Sequence, residues 1–248
     1  EIIDDSGRLF GYVNIVDLLV ILLVAAIVMA GAALVFGDDR SDQTETTYAT
    51  LDLGTYNSEV VTHLSEGDTY SPSGDDKLRI TDFYITPGAE RGYQVFARVK
   101  ISGGTAGDVL QYNGQPLRIG RTLSITTDWY DVNGSIISTG NKSTLQTATT
   151  QVLGETKVDV ETASRIAEGD TVRFANHGVA TVETVARYGT ADPSRQKVLV
   201  GLSLTTLSLH QQQYFGSTPV DPGTQIPIRT ESYTLNATID RVGTSSIP

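Results

Sequence analysis

Two regimes of hydrophobic patterning divide the chain. Leu18 to Phe36 is an unbroken run of 19 residues, LLVILLVAAIVMAGAALVF, without a charge. At about 1.5 Å per residue such a run spans roughly 30 Å, enough to cross the hydrocarbon core of a bilayer. A cleaved signal peptide would have a basic start, a shorter apolar stretch and a small-residue cleavage site. The flank EIIDDSGRLFGYVN is instead mixed and slightly acidic. The pattern predicts a transmembrane helix over residues 14–37, preceded by a short arm, 1–13. Asn14 is the expected helix N-cap, with Asp17 answering from the first turn. An intramembrane proton or ion site at Asp17 competes with that role, and its place at the edge of the run favours capping. Ala26, Ala30, Ala33 and Gly37 follow at i, i+4, i+7 and i+11, a stripe of small residues on which two helices can pack closely in lipid.

After an acidic, polar linker over 38–47 the period changes to two. Val95, Ala97, Val99 and Ile101 alternate with Gln94, Phe96, Arg98 and Lys100, the mark of a half-buried strand. Leu123, Ile125 and Thr127 alternate likewise, and Gly-rich breaks such as SPSGDD, ISGGTAGD, YNGQP and DVNG read as turns. No segment beyond the apolar run carries a long helical period.

The strand-rich part also repeats itself. Glu66-Gly67-Asp68-Thr69 returns as Glu168-Gly169-Asp170-Thr171, and Tyr112-Asn113-Gly114 as Tyr214-Phe215-Gly216. Ile125-Thr126-Thr127-Asp128-Trp129-Tyr130 returns as Ile228-Arg229-Thr230-Glu231-Ser232-Tyr233. All keep one order and an offset of 102 or 103 residues, which points to an internal duplication, 48–142 and 147–248. Each copy has about a hundred residues and about six or seven short strands, a size that closes as a small barrel or sandwich. The expected fold is thus mainly β: one N-terminal transmembrane helix, then two tandem, duplicated small β-barrel or β-sandwich domains. The join STLQTATT, from Ser143, holds no flexible spacer, so the copies are expected to stack.

Charge narrows the partners. The net charge is -11, and no basic patch is present, which argues against nucleic acid. Five lysines stand against 13 arginines. Low Lys with excess carboxylate suits solubility in concentrated salt, where screening weakens self-repulsion; an ordinary acidic surface protein is the alternative. Arg8 and Arg40 flank the apolar run almost symmetrically, so the positive-inside count is nearly tied. The short arm is taken as cytoplasmic and the β-domains as extracellular. Sequons at Asn133, Asn141 and Asn236 fit that side and make N-linked glycans candidate partners.

Catalytic chemistry is not legible. Cysteine is absent, and His63, His177 and His210 are scattered without metal-sharing spacing. No nucleophile elbow, P-loop or dinucleotide fingerprint occurs. The pairs Asp38/Asp39 and Asp75/Asp76 fall in polar loops where solvation explains them, and no cofactor is expected. Tyr130 is kept by both copies, whereas Trp129 becomes Ser232, which makes Trp129 the candidate for a contact.

The opening Ile3-Asp4-Asp5-Ser6-Gly7-Arg8-Leu9-Phe10-Gly11, then Val13-Asn14-Ile15-Val16-Asp17-Leu18-Leu19, resembles the start of the domain-of-unknown-function 4330 family. The piece Pro116-Leu117-Arg118-Ile119-Gly120 followed by Ile125-Thr126-Thr127 is similar in a weaker way. The resemblance implies a single-pass membrane protein with a β-rich exterior, of bacterial or haloarchaeal type, and brings no function with it. A more distant likeness of layout is to lipid-transport proteins of the mammalian-cell-entry class, in which small barrels follow one helix; fold analogy is weak support for function. The expected role is a non-enzymatic, homo-oligomeric scaffold anchored in membrane lipid, as a ring, tube or filament subunit. The alternative is a carrier of lipid or another apolar ligand.

Overall fold

The computed structural model describes residues 8–9, 13–14, 20, 23–29, 44–88, 91–107, 109–174 and 177–247. The chain divides into two compact units, Glu1–Gln43 and Thr44–Pro248. In the first, β1 (Arg8–Leu9) pairs antiparallel with β2 (Val13–Asn14), and residues 23–29 are helical (α1) with exposed side chains. Among the described residues no helix is long and apolar enough to cross a membrane. Most of the span expected over 14–37 lies outside the described residues, as do Asp17, Ala30, Ala33 and Gly37.

The second unit is almost entirely strands. Its first half holds β3 (Glu45–Tyr56), α2 (Ser58–His63), β4 (Thr69–Tyr70), β5 (Lys77–Pro87), β6 (Tyr93–Gly103), β7 (Thr105–Ala106), β8 (Val109–Tyr112), β9 (Gln115–Pro116), β10 (Thr122–Thr126) and β11 (Asp131–Gly140). Its second half holds β12 (Thr147–Asp159), α3 (Val160–Arg165), β13 (Thr171–Phe174), β14 (His177–Gly189), β15 (Arg195–Leu209), β16 (Gln212–Phe215), β17 (Thr218–Pro219), β18 (Gln225–Arg229) and β19 (Thr234–Val242). Pairing begins at Glu45, inside the stretch read as linker.

The first sheet runs β4-β5-β6-β3-β11-β10, and the second runs β13-β14-β15-β12-β19-β18. Element for element the order is the same, and the outer strands, β4 with β10 and β13 with β18, come into contact. Both sheets are therefore barrel-like. Alternation explains the cores. Leu51, Ile80, Val95, Ala97, Val99 and Ile125 fill the first barrel; Val152, Val182, Val200, Leu202, Phe215 and Ile228 fill the second.

Three details depart from the sequence reading. Each barrel carries a six-residue helix, too short to leave a helical period but announced by its cap. Asn57 accepts from Val60 N at 3.0 Å, and Asp159 accepts from Thr162 N at 2.7 Å. The β6 strand is buried on both faces, not half-buried: Gln94, Phe96 and Arg98 are covered by the join between the barrels, residues 141–146, and by the second barrel. Tyr112 closes the β8–β9 turn against Gln115, as Phe215 closes β16–β17 against Thr218. Tyr112 is thus equivalent to Phe215, one position from the alignment with Tyr214.

Candidate functional site: the junction of the barrels

The outer face of β5 and β6 presents Tyr84, Thr86, Gln94 and Phe96, all buried. Tyr84 and Phe96 are directly paired, and with Leu145 and Leu207 they form a small core shared by the two barrels. Tyr84 Oη donates to Thr205 O at 2.7 Å, so its hydroxyl is satisfied across the contact. Burial pushes its phenol pKa well up. Gly216, at a φ of 61°, lets the second barrel approach Thr86; a Cβ there would sit 2.7 Å from Thr86 Oγ1.

Beside that core lies a buried cation. Arg98 Nε donates to Lys142 O at 2.9 Å and Nη1 to Thr50 Oγ1 at 2.9 Å, and its guanidinium lies 5.9 Å from the Tyr48 ring centre. Burial lowers its pKa. The neighbouring β5 bulge, between Ile80 and Asp82, holds the join between the barrels at two more points. Thr81 Oγ1 donates to Ser143 O at 2.6 Å, and Asp82 Oδ2 accepts from Leu145 N at 2.8 Å. On the other flank Arg229 Nη1 donates to Gly92 O at 3.1 Å, while Tyr93 meets Phe174 edge-on with centroids 4.7 Å apart. A cavity of about 610 Å³ opens beside this flank, lined by Val61, Leu64, Phe83, Ile85, Phe174 and Val179 among others.

Each barrel is fastened at its seam. Tyr130, in the β10–β11 turn, donates to Asp68 Oδ2 at 2.5 Å; Tyr233, in the β18–β19 turn, donates to Asp170 Oδ2 at 2.8 Å. The turns themselves match. Thr127 Oγ1 accepts from Tyr130 N and Thr230 Oγ1 from Tyr233 N, each at 3.2 Å. Burial first, then the bonded carboxylate, raises both phenol pKa values.

Of the residues singled out from sequence, Asn141 lies in the join between the barrels, Asn236 lines a cleft with Thr55 and Gln94 of the first barrel, and His177 lines the cavity beside the junction. Trp129 is 77% exposed and stacks on His63, with centroids 5.7 Å apart. In the second barrel Arg165 and Ser232 stand there, joined through Ser232 O. Asn133 and Asn236 are exposed on β11 and β19, and Asn141 is exposed just after β11 at the start of the join between the barrels. Asn133 Oδ1 accepts from Ser124 Oγ at 2.6 Å. Asn14 sits in β2 opposite Arg8, and Ala26 is an exposed residue of α1. Asp76 Oδ2 accepts from Asn113 N at 2.6 Å, and Asp38/Asp39 lie outside the described residues. Among the described residues no group of three His, Asp or Glu could hold a metal. Sequence reading missed Tyr84, Arg98 and Leu207. Arg98 left one trace, a cation in the middle of an apolar strand.

Residues 1–77 match a domain of unknown function, DUF4330. The match runs from the arm through the apolar stretch to Lys77, the first residue of β5. No curated protein and no solved structure matches the chain.

Proposed function

We propose that the chain is a non-enzymatic, membrane-anchored scaffold of the cell envelope, with its barrels outside and its copies associated with one another. One observation carries this reading. The barrels share a core and meet through different surfaces, the outer sheet face of the first against the rim of the second. Such a head-to-tail contact can be repeated between chains to build rings or filaments. The uncharged run of 19 residues supports the anchor, the exposed Asn133, Asn141 and Asn236 support an external location, and low lysine with a net charge of -11 fits a saline setting such as that of haloarchaea. The test is the molar mass of the whole chain in mild detergent, by light scattering behind a sizing column. A discrete mass of several chains is expected; one chain at every concentration and salt level would overturn the reading.

The second reading is a carrier of lipid or another apolar ligand, favoured by the apolar cavity beside Phe83 and Phe174. Mass spectrometry of the protein released intact from detergent tests it. A retained acyl ligand that Phe83→Glu abolishes would support carriage, and an empty protein would remove it.

A further inference from the structure

The junction within the chain has a counterpart that is left open. After their bulges, β5 and β14 keep the same register against their neighbours: Tyr84 pairs Phe96 as Ala186 pairs Leu199, and Thr86 pairs Gln94 as Tyr188 pairs Lys197. The first set is buried under the second barrel. In the second set Ala186 and Leu199 are half-buried, and Tyr188 is 45% exposed.

Half of the cover is present in both barrels. Gly140 pairs Tyr48, and Gly243 N donates to Gln151 O at 2.8 Å, the equivalent place. From there residues 141–146 cross the β5 bulge, where Ser143 O accepts from Thr81. Residues 244–246 cross the β14 bulge, where Ser245 O accepts from Thr184 at 2.6 Å. Gly201 makes room for that crossing, since a Cβ there would lie 1.9 Å from Ser245 O. The second barrel is thus dressed as the first one is, up to the strip where the first receives a neighbour.

We infer that the outer face of β14 and β15, at Ala186, Tyr188 and Leu199, receives the first barrel of a second copy. The rim that docks within the chain is Thr205 and Leu207 on β15, with Tyr214 and Gly216. Leu207 pairs Tyr214, and Gln111 N donates to Gly104 O at 2.8 Å, so Gly104 and Gln111 occupy those places on the first barrel. Among the described residues that rim is open: a Cβ on Gly104 would meet nothing within 4 Å, Ala106 and Asn113 are exposed, and Val109 is 49% exposed. The two contacts differ in size. Inside the chain Leu207 meets Tyr84 and Phe96, and Gly216 meets Thr86; between chains Gly104 meets Ala186 and Leu199, and Tyr188, in the place of Thr86, meets Asn113, in the place of Gly216. The apolar area is smaller, so this contact is weaker and reversible, as fits one made without a covalent tether.

This inference rests on the scaffold reading, and its test separates the two. The molar mass of the full chain in mild detergent is measured for the wild type, Tyr188→Glu and Leu199→Glu. The expected result is an assembly that falls to single chains in both variants, with thermal unfolding unchanged. An assembly that persists in both variants overturns the docking face and leaves the scaffold standing; a monomeric wild type overturns both. Should a variant fail to fold, the cysteine-free chain allows a second route. Chains carrying Tyr188→Cys are mixed with chains carrying Asn113→Cys and oxidised. Mixed dimers exceeding the homodimers formed by either chain alone support the contact, and no excess overturns it.

Discussion

Tyr130 and Asp68 lie at opposite ends of one sheet and are joined by a 2.5 Å hydrogen bond. Tyr130 sits in the turn between β10 and β11, Asp68 just before β4, so the bond spans the seam where the sheet curls back on itself. Tyr233 and Asp170 repeat it at 2.8 Å in the second barrel. A phenol donating to a carboxylate is a charge-assisted bond, and removing it costs about 1–3 kcal/mol. Tyr130→Phe and Tyr233→Phe are each expected to destabilise by about that much, and the double variant by about the sum, because the sites share no partner. Urea denaturation measures this. Variants within a few tenths of a kcal/mol of the wild type would mean the seam is held otherwise.

The same two tyrosines set a response to alkali. Burial and the neighbouring carboxylate raise their folded pKa values above the ordinary phenol range near pH 10. A raised folded pKa contributes stability that is complete below the unfolded pKa and is lost as pH rises through the folded one. Stability should therefore fall above about pH 10, and more gently in the Tyr130→Phe/Tyr233→Phe double variant, which has two fewer such groups. Denaturation midpoints at a series of alkaline pH values check the slope. Equal slopes would contradict it.

Acid should act on one helix and not on the other. Asp159 caps α3 with bonds to Thr162 N and Oγ1, which hold its pKa below the usual carboxylate value. A depressed folded pKa contributes stability that is present above the unfolded pKa and is lost as pH falls through the folded one. Asn57, the cap of α2, does not titrate. Asp159→Asn is expected to match the wild type at low pH and to remove the part of the acid dependence that arises below about pH 4. Hydrogen exchange at the first amides of α3 reads this directly, with α2 as the internal reference.

At the junction Leu207 is fully buried against Tyr84 and Phe96. Leu207→Ala should cost about 2–5 kcal/mol through lost burial and a residual cavity. Because the loss falls between barrels, it should also separate their unfolding into two transitions in calorimetry. A single transition at an unchanged temperature would show that the shared core does not couple them.

Much of the β-architecture was legible because it rests on short-range signals. Strand period, Gly turns and the order of repeated motifs mark the strands of both barrels and their common sequence of elements. The offset itself hides a shift. Asp52 and Glu155 are equivalent at 103, but the bulge between Asp52 and Gly54 adds a residue to the first copy, and the helix caps Asn57 and Asp159 stand at 102. A longer β14–β15 loop restores 103 by Tyr93 and Gln196. Motif matching at 102 therefore set Tyr112 against Tyr214, where strand pairing sets it against Phe215. The junction was not legible for a different reason. Phe96 and Arg98 occupy outward positions of an alternating strand, and alternation says nothing of what a second domain later covers. Trp129, chosen because it differs between the copies, is an exposed stack on His63 and takes no part in the shared core.

The account depends most on the two barrels forming one body, and a distance between them tests this directly. Asp128 and Glu231 are exposed at equivalent turns of the two barrels, and the chain has no native cysteine. Spin labels on Asp128→Cys and Glu231→Cys, in the full chain diluted with unlabelled protein, report their separation by pulsed electron paramagnetic resonance. The account predicts a single narrow distribution that broadens in Leu207→Ala. A broad distribution in the otherwise native chain would mean that the barrels swing independently, and would contradict it.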